Sequence, residues 1–275
     1  MNDLISIILF LKKQKFLIHY RGGGPSFTPK AILYTLYHYL IGLRITLNLA
    51  NFILVQNHNE EKRVINFLRI KKNKVIYFPN SVPKEINKEK IKNKNDFFKI
   101  VIAGRTEKLK NKEKLKEIFE NLLSENEKIT IEIVGIKNKE KLEKFLELEK
   151  RFKERFLLTP WLNKEKLFEK YQETNLYLHL NTKDEGCPNT IIEAQSQGLP
   201  VLAFDIEGVR DIIKNEYNGY LVKNYPELEK KLKEISENLK KLLEIRLNSI
   251  NAIKENFIDE NYFPKLIEIY SSLIK

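Results

Sequence analysis

The sequence predicts an α/β protein of two lobes, each built on a mostly parallel sheet and joined by a charged linker. Three observations predict it. Apolar runs of strand length alternate with helix-length segments almost throughout, the pattern left by successive βαβ units. The 275 residues, 42% hydrophobic and 31% charged, suit an ordinary globular chain of about two domains at roughly 100 to 200 residues each. Between the two strand-bearing regions, PKEINKEKIKNKND (83–96) carries many charges and almost no large apolar side chains, as linkers do.

Taken in order, the first lobe spans 1–82. It holds strand KFLIHY (15–20), a glycine turn RGGG, a helix over 30–48, strand NFILVQ (51–56), a further helix and strand KVIYF (74–78). The linker occupies 83–97 and the second lobe 98–255. Strand FKIVIAG (98–104) ends on Gly104, helix 111–126 has apolar residues at helical spacing, and ITIEIVG (129–135) repeats the strand-then-glycine arrangement. A charged helix over 138–153, strand RFLLTP (155–160), a helix near 163–172, strand LYLHL (176–180), a helix from 188 to 197 and strand PVLAF (200–204) follow. This is a doubly wound, nucleotide-binding topology, whose ligand is expected at the carboxyl ends of the strands. Amphipathic helices near 226–242, 244–255 and 260–274 close the chain, the last within a segment 256–275 expected to pack back on the first lobe.

Composition excludes several classes. No apolar run reaches the roughly 18 residues of a membrane-spanning helix, and the stretch at 4–11 lacks the basic residues that open a signal peptide. The single cysteine, Cys187, rules out an intramolecular disulfide and a thiolate zinc site, and suits a reducing cytoplasm. His19, His38, His58 and His179 show no metal-ligand spacing, and His179, inside LYLHL, reads as a satisfied core or strand-end histidine. The formal charge of +12 is unevenly placed: residues 1–95 hold 17 Lys and Arg against 5 Asp and Glu, whereas residues 96–275 are balanced at 32 against 32. Such a lobe attracts an anionic partner, or is simply a solvated surface.

The most specific stretch is NTKDEGCPNTIIEAQSQGLPVLAFDIEGVRDIIKNEYNGYLV (181–222). A polar loop with Glu185 and Gly186 leads to Pro188, which opens a helix where its missing N–H costs nothing, and Gly198 with Pro200 stops that helix. The helix start leaves several backbone N–H groups for a phosphate. Glu185 precedes it and Glu193 lies one and a half turns inside. Carboxylates beside an anion site are tolerable where they face neutral hydroxyls, so sugar hydroxyls are their sensible partners. A second constellation, AGRTEKLKNKEKL (103–115), places Arg105 and Lys110 after the Gly104 turn, where both can reach one phosphate.

Glu185 and Glu193, eight positions apart within EGCPNTIIEAQSQGLPVLA and followed by NGYLV, resemble the retaining glycosyltransferases of family 4, with their two-lobed GT-B architecture. The resemblance covers residues 99–223 and, more faintly, 50–82, where VIYFPNSV is similar to the family's asparagine-containing turn. It implies that Glu185 contacts the transferred sugar and Glu193 the ribose hydroxyls. It also implies that the backbone around Gly186, Cys187, Pro188, Asn189 and Thr190 reaches the sugar and diphosphate. Arg105 and Lys110 match the basic pair that stabilises the departing nucleoside diphosphate; for Lys110, among lysines 108, 112 and 114, the alternative is a solvated loop. Cys187 stands where the family usually has phenylalanine. Glu207 and Gly208 stand where it often has two glycines, Asp211 where it often has glutamate, and Arg21 (followed by Gly22 and Gly23) where a His-Gly pair often contacts the sugar. Trp161 follows the third strand of the second lobe, where a base could lie, or is a buried structural residue.

The resemblance implies a GT-B fold whose N-terminal lobe is incomplete, since the family's opening strands have no counterpart here. It implies transfer of a sugar from a nucleoside-diphosphate sugar to a glycan or lipid-linked acceptor, with no cofactor. The absence of any Asp-x-Asp leads to the expectation of no obligatory metal. The basic lobe suits the anionic inner face of a membrane, so the chain is expected in the cytoplasm, peripheral at that face. A nucleotide-sugar-binding module without turnover is the alternative; nucleic-acid binding lacks a motif.

Overall fold

The computed structural model describes residues 12–20, 42–84, 97–104, 109–138 and 142–274. The glycine turn with Arg21, Gly22 and Gly23, and Arg105 in the loop after Gly104, lie outside them.

The small lobe is a parallel three-stranded sheet of β1 (Leu17–Tyr20), β2 (Phe52–Val55) and β3 (Val75–Tyr77) in the order β1-β2-β3. The register pairs Leu17 with Phe52 and Ile53 with Val75. Helix α1 (Leu43–Leu49) and α2 (His58–Lys62), which continues as a wider turn over Arg63–Phe67, supply Leu47, Val64 and, just beyond, Leu68 to a core around Ile53 and Val55.

The large lobe contains β4 (Phe98–Ala103), α3 (Lys112–Glu125), β5 (Ile129–Ile136), α4 (Glu143–Phe152), β6 (Phe156–Pro160), α5 (Lys164–Gln172), β7 (Leu176–His179), α6 (Asn189–Ser196), β8 (Val201–Phe204) and β9 (Gly219–Val222). All six strands are parallel in the order β6-β5-β4-β7-β8-β9. The direction of winding reverses between β4 and β7, which opens a crevice at their carboxyl ends. Both sheet faces are covered, so β7 and β8 are buried at every residue rather than alternating. One face packs Phe119, Phe145 and Phe156 from α3, α4 and β6 against Ile100 and Ile131, with ring centroids 6.0 to 6.2 Å apart. The other packs Ile191 and Ile192 of α6 against Tyr177 and Val201.

Two expectations shift. The sixth strand, β9, is carried by GYLV, whose opening glycine gives little strand pattern. The charged helix expected over 138–153 is described over Glu143–Phe152, residues 139–141 lying outside the described ones. The terminal helices divide earlier, into α7 (Tyr225–Glu237) and α8 (Leu239–Asn256), because the Asn238 side chain accepts from Lys241 N and caps a new helix.

After α8 the chain crosses back. Val82 bridges to Ile258, Ser81 Oγ donates to Asp259 Oδ1 at 2.6 Å, and Tyr262 sets its ring edge-on to Tyr77 and Phe78. From there α9 (Phe263–Ile274) runs to where Lys15 Nζ donates to Ser272 O at 3.2 Å. Among the described residues no helix is long and apolar enough to cross a membrane.

Candidate active site at the strand switch point

A cavity of about 850 Å³ opens where β4 and β7 diverge. Its floor is the end of β4, its back wall the end of β7, and its far side the start of α6, with Asn80 entering from the small lobe. Of the residues singled out in the sequence, Gly104, Lys110, Glu185, Cys187, Pro188, Asn189 and Thr190 line it.

The floor is built by close backbone approach. Gly104 turns the chain at φ +122°, a conformation that residues with side chains rarely adopt. Gly135 (φ +99°) leaves no room for a side chain, since a Cβ there would fall 2.5 Å from Gly104 O. Tyr177 Oη donates to Ala103 O at 3.0 Å, tying β7 to the same turn, and burial raises its phenol well above the ordinary range. At the far wall, Pro188 precedes α6, so the positive end of the helix dipole borders the cavity, with Lys110 and Lys112 on the same lining. This wall favours an anion.

Glu185 introduces the opposite charge at a defined place. Its Oε2 lies 2.7 Å from His179 Nε2, and its Oε1 accepts from Asn181 Nδ2 at 2.5 Å. His179 is a buried strand-end histidine, its ring 6.3 Å from that of Tyr177 and its Nε2 engaged with the carboxylate. Glu193, one turn into α6, is half-buried; burial raises its carboxyl above the ordinary carboxylate range, and Lys164, 4.0 Å away, acts in the opposite direction. Glu193 does not line the cavity. Neither does Trp161, which is 59% exposed with Lys137 Nζ 5.3 Å from its ring centre. The reading of Trp161 as a buried structural residue is therefore overturned. Cys187 is buried, and burial pushes its thiol up to about 12.

The loop that carries Glu185 is gripped by the small lobe. Asn57 caps α2, its Oδ1 accepting from Glu60 N at 2.7 Å, while its Nδ2 donates to Gly186 O at 2.8 Å and Glu185 O at 3.4 Å. Asn80 Nδ2 donates to Cys187 O at 2.5 Å, and its Oδ1 accepts from Gln56 Nε2 at 2.8 Å. Gly186 faces Gln56 so closely that a Cβ would sit 2.5 Å from Gln56 Oε1. Glu207 and Asp211 join the same junction: Arg63 donates to Glu207 Oε2 at 2.9 Å and His58 N to Asp211 Oδ2 at 2.6 Å. The sequence marked His179 only as a satisfied core or strand-end histidine, and it did not single out Asn181, Gln56 or Asn57. Only Asn80, inside VIYFPNSV, left a signal there.

The matching region coincides with this site. Residues 83–256, more than half of the chain, match the family of glycosyl transferases group 1.

The chain belongs to the glycosyl transferases group 1.

Relatives agree. The O-antigen biosynthesis glycosyltransferase WbnH of Escherichia coli is 31% identical over 176 residues, which cover 64% of this chain and 47% of that protein. A UDP-Gal:alpha-D-GlcNAc-diphosphoundecaprenol alpha-1,3-galactosyltransferase of Escherichia coli is 31% identical over 184 residues, covering 62% and 46%. The chain thus spans about half the length of the curated relatives it matches. Among solved structures, HepE of Anabaena in complex with UDP superposes with a TM-score of 0.76 at 17% identity, covering 98% of this chain and 76% of HepE. That likeness establishes the GT-B fold of this group 1 glycosyltransferase.

Proposed function

We propose that the chain is a retaining glycosyltransferase of family 4, which moves a hexosyl group from a nucleoside-diphosphate sugar to an acceptor hydroxyl in surface or lipid-linked glycan synthesis. The observation that carries this is the convergence of Lys110, Glu185 and the start of α6 on one cavity at the strand switch point. An anion-favouring helix start and a carboxylate line one space of about 850 Å³, within the size range of small-molecule sites. The relatives are named for O-antigen synthesis and for galactosyl transfer from UDP-galactose, so a uridine nucleotide and a lipid-linked glycan acceptor are the first candidates.

In this reading the diphosphate lies against the first turn of α6, with Lys110 and, from the loop after Gly104, Arg105 balancing the charge that builds on the leaving group. Glu185 orients the transferred sugar inside the cavity, while Glu193 for the ribose hydroxyls and Trp161 for the base, both outside its lining, are assigned to a nucleoside that extends beyond it. The bond from the anomeric carbon to the diphosphate oxygen breaks as the acceptor oxygen attacks from the same face, and the departing phosphate oxygen takes the acceptor proton. No protein nucleophile is required. Metal independence belongs to the same proposal. What supports it is the lack of any Asp-x-Asp in the sequence. The basic residues of 1–95, with Arg21, Gly22 and Gly23 on the acceptor side, suit a peripheral position at an anionic, cytoplasmic membrane face.

The test is turnover by the full chain of UDP-glucose, UDP-galactose, UDP-N-acetylglucosamine and GDP-mannose, with and without glycan acceptors. One donor consumed, with product of unchanged anomeric configuration, supports the proposal. Binding without turnover under every acceptor assigns the chain to a nucleotide-sugar-binding module instead.

A further inference from the structure

We infer that His179 and Asn181 are positioning residues which fix the Glu185 carboxylate for its contact with the transferred sugar; the inference rests on the function proposed above. A glutamate at the head of a loop has three side-chain torsions to settle, and backbone contacts do not settle them. Here Asn57 and Glu207 restrain the Glu185 backbone, with Glu185 N donating to Glu207 O at 3.3 Å. The carboxylate itself is held at both oxygens, Oε2 by His179 Nε2 at 2.7 Å and Oε1 by Asn181 Nδ2 at 2.5 Å.

The chain geometry produces this pairing. β7 ends at His179, and residues two apart in extended chain project to the same side, so His179 and Asn181 can both meet a carboxylate presented by the loop as it returns at Glu185. An ionised carboxylate only accepts, so His179 carries its proton on Nε2, in the neutral tautomer or as imidazolium. His179 is 8% exposed. A buried imidazole chosen only to fill the core would be served as well by leucine, the residue on either side of it in LYLHL. What leucine lacks is the donor. Fixing a substrate-binding group before the substrate arrives matters because small misplacements are costly in rate.

The experiment compares His179→Leu, which keeps bulk and removes the donor, with His179→Gln, whose amide can reach as Nε2 does, in the full chain. Donor turnover is measured beside calorimetric affinities for UDP and GDP and for UDP-glucose, UDP-galactose and GDP-mannose. His179→Leu is expected to lower kcat by roughly 10- to 100-fold while leaving nucleoside diphosphate affinity near the wild-type value, and His179→Gln to restore most of the loss. Asn181→Ala, outside the strand, is expected to act in the same direction and serves if His179→Leu does not fold. Wild-type kcat in His179→Leu, or equal impairment in the Leu and Gln variants, overturns the inference, since a purely structural role gives no rescue. If the wild type binds nucleotide sugars without turning them over, the ratio of nucleotide-sugar to nucleoside-diphosphate affinity replaces kcat. A ratio unchanged in His179→Leu again overturns the inference. A wild type that binds no nucleotide overturns the proposed function first and this inference with it.

Discussion

Two carboxylates eight positions apart are given different tasks by their surroundings. Glu185 is held by donors at both oxygens and faces the cavity, so Glu185→Ala is expected to reduce transfer by roughly 100-fold or more while sparing nucleotide affinity, as separate rate and binding measurements show. Glu193 is raised by burial, and Lys164 offsets only part of that. The folded chain therefore holds its proton more tightly than the unfolded chain. Its contribution to stability is fullest below the ordinary carboxylate range and is lost as pH rises through the raised value. Urea denaturation of nucleotide-free protein across acidic and neutral pH should show that decline in the wild type and lose it in Glu193→Gln. Cys187, buried with its thiol pushed up to about 12, stays protonated at neutral pH. A thiol reagent is expected to find no reactive thiol in the native chain and one after unfolding. The glutamates were legible in the sequence because helix-start and helix-stop residues surround them. His179 was not, because a histidine amid leucines has the signature of a core residue until its partner six residues on is placed beside it.

At the scale of elements, the site depends on turns that cannot bear side chains. Gly208 has φ +79°, and a Cβ there would fall 2.2 Å from Glu185 O and 2.3 Å from Gly186 O. Gly208→Ala must displace the loop, so transfer should fall by about 100-fold or more with the helical circular dichroism signal unchanged. Strands β4, β5, β6 and β8 were legible from apolar runs closed by glycine or bounded by proline, β7 from its apolar run LYLHL alone, and α6 from Pro188 and Gly198. β9 was hidden because four residues beginning with glycine carry little pattern, and the break at Asn238 because only a capping contact marks it. The roles of Glu207 and Asp211 were obscured by likeness to donor-binding positions. Their partners, Arg63 and His58, lie more than 140 residues earlier in the chain, a separation that spacing does not bridge.

Across the whole molecule, the small lobe contributes, through Asn57 and Asn80, the grip on the loop that presents Glu185. Arg63 and Glu207 span the lobes as a partly exposed ion pair. A double-mutant cycle with Arg63→Ala and Glu207→Ala, followed by denaturant unfolding, should give a coupling on the order of 1 kcal/mol that shrinks with added salt. The uneven charge was legible by counting, whereas the lobe junction became visible only once the chain was folded. The central claim is that the switch-point cavity grips a nucleoside diphosphate. Calorimetric titration of the full chain with UDP, GDP, ADP and dTDP tests it most directly, in the wild type and in Lys110→Ala. The account predicts one saturable site for at least one of these ligands, weakened about tenfold or more by the substitution. Absence of binding by all four, or equal affinity in both proteins, would contradict it.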